Sequence, residues 1–114
     1  MSVFTISTHR RGTALVVRVG GELDYAHAPV LRGELARLWE TGPPATLVVD
    51  VSGLNFCDSA GIAELILALQ RSRDLGTRLV LAGVHGVLER ILALTGLRPA
   101  FETSPTVEEA LGGA

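Results

Sequence analysis

Apolar positions change period along this chain, and each change marks an element. In FTISTHR, Phe4, Ile6 and Thr8 alternate with Thr5, Ser7 and His9, the period of a half-buried strand at a sheet edge. RRG turns the chain, and ALVVRVGG reads as a second strand, hairpin-paired with the first. In ELDYAHAPVLRGELARLWETG the period lengthens. Leu31, Leu35 and Leu38 fall at i, i+4 and i+7, with Pro29 near the start and Gly42 just past the end. That spacing predicts a helix of about twelve residues, entered through a loop from Glu22 to His27.

ATLVVDVSG is a nearly unbroken Val-rich run, the mark of a strand covered on both faces. GIAELILALQRSRDLG then predicts a strong helix, with Ile62, Leu65, Ile66 and Leu69 as its stripe and Gly76 as its stop. RLVLAG is a further buried strand. HGVLERILALTG is a shorter helix with Val87, Leu88, Ile91 and Leu92 inward and Gly96 closing it. PAFET reads as a terminal edge strand and TVEEAL as a last helical turn or two. The order ββαβαβαβα makes at least part of the sheet parallel. The fold expected is a single α/β domain over residues 1–114, with a mixed sheet of four to five strands and helices packed mainly on one face.

Composition narrows the function. A chain of 114 residues fits one compact domain, burying roughly two thirds of its unfolded surface without a staple. A formal charge of −2 gives no basic footprint for nucleic acid. All ten basic residues are Arg, so a P-loop and Schiff-base chemistry, which both need Lys, are excluded. The lone cysteine, Cys57, forms neither an internal disulfide nor a cysteine-rich metal site, and reads as a small buried hydrophobe. No apolar stretch approaches the roughly twenty residues of a membrane span. MSVFTISTHRRG lacks the charged-then-apolar order of a signal peptide, so a soluble, cytoplasmic domain is expected. No cofactor or metal is implied.

The candidate chemistry lies in NFCDSAG. Ligands and partners of parallel sheets meet the loops beyond the strands' C-terminal ends. Two such loops are predicted, GGELDYAH and SGLNFCDSAG, carrying Asp24 and Asp58; Asp50 and Ser52 serve the second loop's own backbone. Three readings of Asp58–Ser59 stand open. Either residue is a good helix cap, although Ile62 stands where a capping box needs Glu or Gln. A nucleophile elbow is disfavoured, because Cys57 replaces its first Gly and no spacing brings His9, His27 or His85 to Ser59 as a base. The third reading is a phosphate acceptor, since the amides and dipole of a helix N-terminus stabilise added negative charge.

The stretch VVDVSGLNFCDSAGIAEL resembles the signature of the STAS family, and in particular its stand-alone anti-sigma factor antagonists: an apolar strand, D-x-S-G, a four-residue loop, then D-S-x-G and an apolar helix. GELDYAHAPVLRGEL, RLVLAGVHGVLERILALTGL and VEEAL extend the resemblance over nearly the whole chain. It implies a regulatory switch, not an enzyme. The unmodified protein would bind an anti-sigma factor that is a serine kinase and free the sigma factor. Phosphorylation at Ser59 would switch it off, and a phosphatase acting on phospho-Ser59 would restore it. Neither direct nucleic-acid contact nor membrane insertion is implied. Asp24 and Asp58 match positions near the acceptor, and Tyr25, His27, Asn55, Ala60 and Gly61 join Ser59 as the expected partner surface. Ala60 stands where many relatives carry a second small hydroxyl, which leaves Ser59 the unambiguous acceptor. The alternative function within this fold is a subunit of a signalling or lipid-transport complex without a phosphoswitch.

Overall fold

The computed structural model describes residues 3–112. Strands β1 (Phe4–Arg11) and β2 (Ala14–Leu23) form the hairpin. They are followed by α1 (Ala28–Glu40), β3 (Thr46–Cys57), α2 (Ser59–Leu75), β4 (Arg78–Ala82) and α3 (Gly86–Leu94). A 3-10 turn (Arg98–Ala100), β5 (Glu102–Ser104) and α4 (Val107–Gly112) complete the order. The five strands lie side by side in sequence order; β1 runs antiparallel to β2, and β2 through β5 are parallel. The expected mixed sheet and helix order are both present.

Strand order that never turns back explains the layers. Each parallel crossover is right-handed, so successive crossovers advancing the same way place α1, α2 and α3 on one face of the sheet. Alternate strand residues Leu15, Val17, Val19, Leu47, Val49, Val51, Leu79 and Leu81 bury against those helices, through Leu31, Leu35, Ile62, Leu65, Leu88 and Leu92. The other face receives α4: Val16, Val48, Val80 and Ala82 pack with Val107 and Ala110. Leu47, Val48 and Val49 are all 0% exposed, as the two-face reading of β3 requires. Burying one such side chain contributes about 1.5–3 kcal/mol.

Two boundaries differ from the expectation. The segments predicted as long loops begin as strand: β2 continues through Leu23 and β3 through Cys57. Pairing passes from Arg18↔Asp50 to Gly20↔Gly53 and from Gly21↔Leu54 to Glu22↔Phe56, so β3 carries one extra residue at each shift. These bulges space the buried residues Val51, Leu54 and Cys57 three apart instead of two, which hides the strand from a period-two reading. The second change is in PAFET, where Pro99 and Ala100 belong to the 3-10 turn and β5 starts only at Glu102.

Candidate functional site

The bulged ends of β2 and β3 bring two short connections together. After Cys57 a single residue, Asp58, separates β3 from α2. Its carboxylate is fully engaged. Oδ1 accepts from the amides of Ala60 (2.9 Å) and Gly61 (3.1 Å), capping the helix, while Oδ2 accepts from the Tyr25 amide at 2.9 Å. The same side chain thus starts α2 and fastens the β2–α1 connection beside it.

Ser59 is the first residue of α2, and it is exposed. With Asp58 acting as the cap, the serine is released from that task. Among the described residues its hydroxyl takes no hydrogen bond. Two residues on, Gly61 is buried, and a Cβ there would meet the Leu23 carbonyl oxygen at 2.4 Å and Cys57 Sγ at 2.8 Å. The glycine of D-S-x-G is therefore needed for close packing of the first helical turn onto β2. It lies beneath the expected partner surface, not on it.

The β2–α1 connection is held by its own polar groups. Asp24 Oδ1 accepts from the His27 amide at 3.1 Å and lies 2.8 Å from His27 Nδ1, which is also 3.0 Å from the Glu22 carbonyl oxygen. The His27 ring stacks on Phe4, centroids 5.4 Å apart. Asp24 and His27 are half-buried, whereas the Tyr25 side chain between them is 83% exposed. Asn55, the extra residue of the second bulge, is exposed, and Ala60 is half-buried. Tyr25, Asn55, Asp58, Ser59 and Ala60 thus share one end of the sheet, with Asp24 and His27 acting mainly as the frame behind Tyr25.

The nucleophile reading finds no geometry. His9 sits in β1 beside Ser7, His85 Nε2 is 2.9 Å from the Ser52 carbonyl oxygen, and His27 is occupied as described; none bonds Ser59. The Cys57 thiol is buried and pushed up to about 12, first by that burial and then by the adjacent Asp58 charge, so it stays protonated and unreactive. Among the described residues no His, Cys, Asp and Glu cluster is arranged to hold a metal, and no helix is long and apolar enough to cross a membrane.

Sequence reasoning missed the polar pairs between elements. Glu64 was hidden inside an amphipathic stripe yet is 3% exposed, with Arg32 Nε and Nη2 both donating to its Oε1 at 2.7 and 2.5 Å. Thr8 donates to Glu34 across a comparable gap in sequence. Separations of 32 and 26 residues leave no local signal for either pair.

Known proteins place this arrangement. The STAS domain model matches residues 5–110. A Mycobacterium tuberculosis protein provisionally named an anti-anti-sigma factor is 34% identical over 113 residues, covering 97% of this chain and 76% of that protein. The anti-sigma-B factor antagonist of Bacillus subtilis is 30% identical over 92 residues, covering 81% and 83% respectively. The crystal structure of an anti-sigma factor antagonist from Mycobacterium paratuberculosis superposes with a TM-score of 0.82 at 28% identity, covering 97% of this chain and 93% of that one. By the family model, by these sequence relatives and by its five-stranded architecture, the chain belongs to the STAS domain family.

Proposed function

We propose that this chain is an anti-sigma factor antagonist controlled at Ser59: unmodified, it binds a serine-kinase anti-sigma factor and frees the sigma factor, and phosphorylation ends the binding. The observation that carries the reading is an exposed Ser59 hydroxyl, without a hydrogen bond among the described residues, on the first residue of a helix already capped by Asp58. The kinase moves the γ-phosphoryl group of ATP to Ser59 Oγ, ADP leaves, and the hydroxyl proton passes to a base of the kinase. A phosphatase reverses the state by hydrolysis. The names of the relatives support the antagonist role, and the engaged Asp58 supports a modification that breaks no structural bond.

The effect has a suitable size. A phosphoserine adds about −1.5 to −2 charges near neutral pH. Placed against a partner beside Asp24 and Asp58, repulsion and desolvation of ~2–4 kcal/mol follow from charges a few ångströms apart at a surface-like dielectric. At 1.4 kcal/mol per decade, affinity falls roughly 30- to 1000-fold. No refolding is required.

The test is phosphate transfer. The chain is incubated with ATP and each serine-kinase anti-sigma factor encoded beside it in its source genome, and the modified residue is mapped by mass spectrometry. The expected product carries one phosphate, on Ser59. Ser59→Ala should bind the same kinase but accept no phosphate, and Ser59→Glu should bind poorly. A phosphate on another residue, or none with any of these kinases, overturns the reading.

A further inference from the structure

Tyr25 is the most exposed of the large apolar side chains among the described residues, at 83%, yet its backbone is tied down. The Asp24 carbonyl oxygen closes a tight turn by accepting from the amides of His27 at 3.1 Å and Ala28 at 2.8 Å, and Asp24 Oδ1 accepts from the His27 amide as well. Tyr25 and Ala26 are the two central residues of that turn, so the Tyr25 amide has no partner within it. Asp58 supplies one across 33 positions of chain, through Oδ2 at 2.9 Å. The phenolic hydroxyl, by contrast, takes no hydrogen bond among the described residues. The backbone is fixed, and the side chain it carries is left in solvent.

The bond that holds Tyr25 also sets its place relative to Ser59. One carboxylate, on the residue immediately before Ser59, holds the first-turn amides of α2 through Oδ1 and the tip of the turn through Oδ2. Tyr25 and Ala60, the residue after Ser59, border one hollow. Tyr25 therefore meets both chain neighbours of the acceptor hydroxyl. A kinase that transfers phosphate to Ser59 must close over that hydroxyl to reach it, and so covers Tyr25 too. Tyrosine is among the residues that most often carry binding energy, because it buries a large rigid surface with few rotatable bonds. On a fixed backbone it loses less entropy on binding than it would on a mobile loop.

We propose that Asp58 is a positioning residue for partner binding: by holding the Tyr25 amide it aims the Tyr25 ring, beside Ser59, into the contact with the anti-sigma factor, where the ring is the aromatic anchor. The proposal rests on the antagonist reading and deepens it. Asp58 then has two duties. Its Oδ1 starts the helix that bears the phosphate acceptor, and its Oδ2 aims the side chain that binds the kinase.

A double-mutant cycle tests this by titration calorimetry, using the kinase found by transfer to Ser59 and a non-hydrolysable ATP analogue. Asp58→Asn keeps an oxygen for the helix cap, where Asn serves as well as Asp, and puts a donor where the Tyr25 amide needs an acceptor. Tyr25→Ala should weaken binding at least tenfold and Asp58→Asn three- to tenfold. The double variant should bind within twofold of Tyr25→Ala alone, because the second change acts through the first. Tyr25→Phe should stay within threefold of wild type, since the ring makes the contact. Leu94→Ala, at an 80% exposed apolar position on α3, should stay within twofold. Amide exchange read by nuclear magnetic resonance separates aiming from capping: Asp58→Asn should speed exchange at Tyr25 at least tenfold and leave Ala60 and Gly61 within threefold. If Asp58→Asn lowers the melting temperature, Asp58→Ser, a cap with a single oxygen, replaces it with the same expectations. Tyr25→Ala binding within twofold of wild type, losses that multiply in the double variant, or unchanged exchange at Tyr25 each overturn the proposal while the antagonist reading stands. A wild-type chain that binds no such kinase fails both, and is recognised before any variant is made.

Discussion

A carboxylate with three amide partners sits next to a hydroxyl with none, and this contrast divides the labour between two adjacent residues. Asp58 spends both oxygens on Ala60, Gly61 and Tyr25, so it is structural; Ser59 is spare. Removing the cap should therefore cost stability while removing the hydroxyl should not. Asp58→Ala is expected to lose about 1–2 kcal/mol from the cap, and more where the Tyr25 amide is left unpaired. Ser59→Ala should stay within about 0.5 kcal/mol of wild type. Urea unfolding at neutral pH compares them, and equal losses from both would contradict the division. Much of this was legible beforehand. Two adjacent capping residues predict one spare side chain, and the family resemblance says which. The amide of Tyr25 was not legible, because it meets Asp58 across 33 positions of chain.

Among the elements, helices declared themselves and strand ends did not. The stripe of α1 matched its apolar spacing. In α2 Ile62 and Leu65 are buried and Ile66 and Leu69 only half-buried, and Ala68 and Ser72 complete the buried face. In α3 Leu88 and Leu92 are buried, with Val87 and Ile91 half-buried. The end of β3 failed because two bulges shift its pairing with β2 and replace alternation by a spacing of three. Yet those bulges deliver Asn55, Asp58 and Ser59 to one end of the sheet, so the least regular part of the strand is the part nearest the site. The far edge is fastened differently. Arg78 on β4 pairs with Glu102 on β5 and donates to the Ala110 carbonyl oxygen of α4 at 3.2 Å. The guanidinium holds the Glu102 carboxyl below its ordinary 4.5. A carboxyl lowered on folding stabilises above its unfolded value, and that contribution fades as pH falls through the lowered one. Because the pair is exposed to solvent, Glu102→Gln should cost at most about 1 kcal/mol at pH 7. In urea titrations the difference should shrink towards zero near pH 2, and a difference that grows with acid would contradict the pairing.

For the whole molecule the expectation is a change of surface without a change of scaffold. Ser59 lies outside the core, on the first residue of α2, where the positive end of the helix dipole favours a nearby negative charge. The phosphorylated protein should therefore melt within a few degrees of the unmodified one, with the same far-ultraviolet circular dichroism, while kinase affinity falls by decades. A phosphate that melted the domain would mean that control works through unfolding. Chain length had already pointed to one compact domain, and the order of periods to a sheet at least partly parallel. What neither carried was the pairing of Arg32 with Glu64, since two residues that meet only once α1 and α2 are laid side by side leave no trace in either helix alone. The one-way order of the strands has a practical consequence for handling the protein. It gathers α1, α2 and α3 on one face of the sheet and leaves the opposite face to α4. A tether or fluorophore attached behind α4 would thus hold the molecule from its back and leave Ser59 open to solution, whereas anchoring at the start of α2 would cover the very residue a sensor chip was built to read.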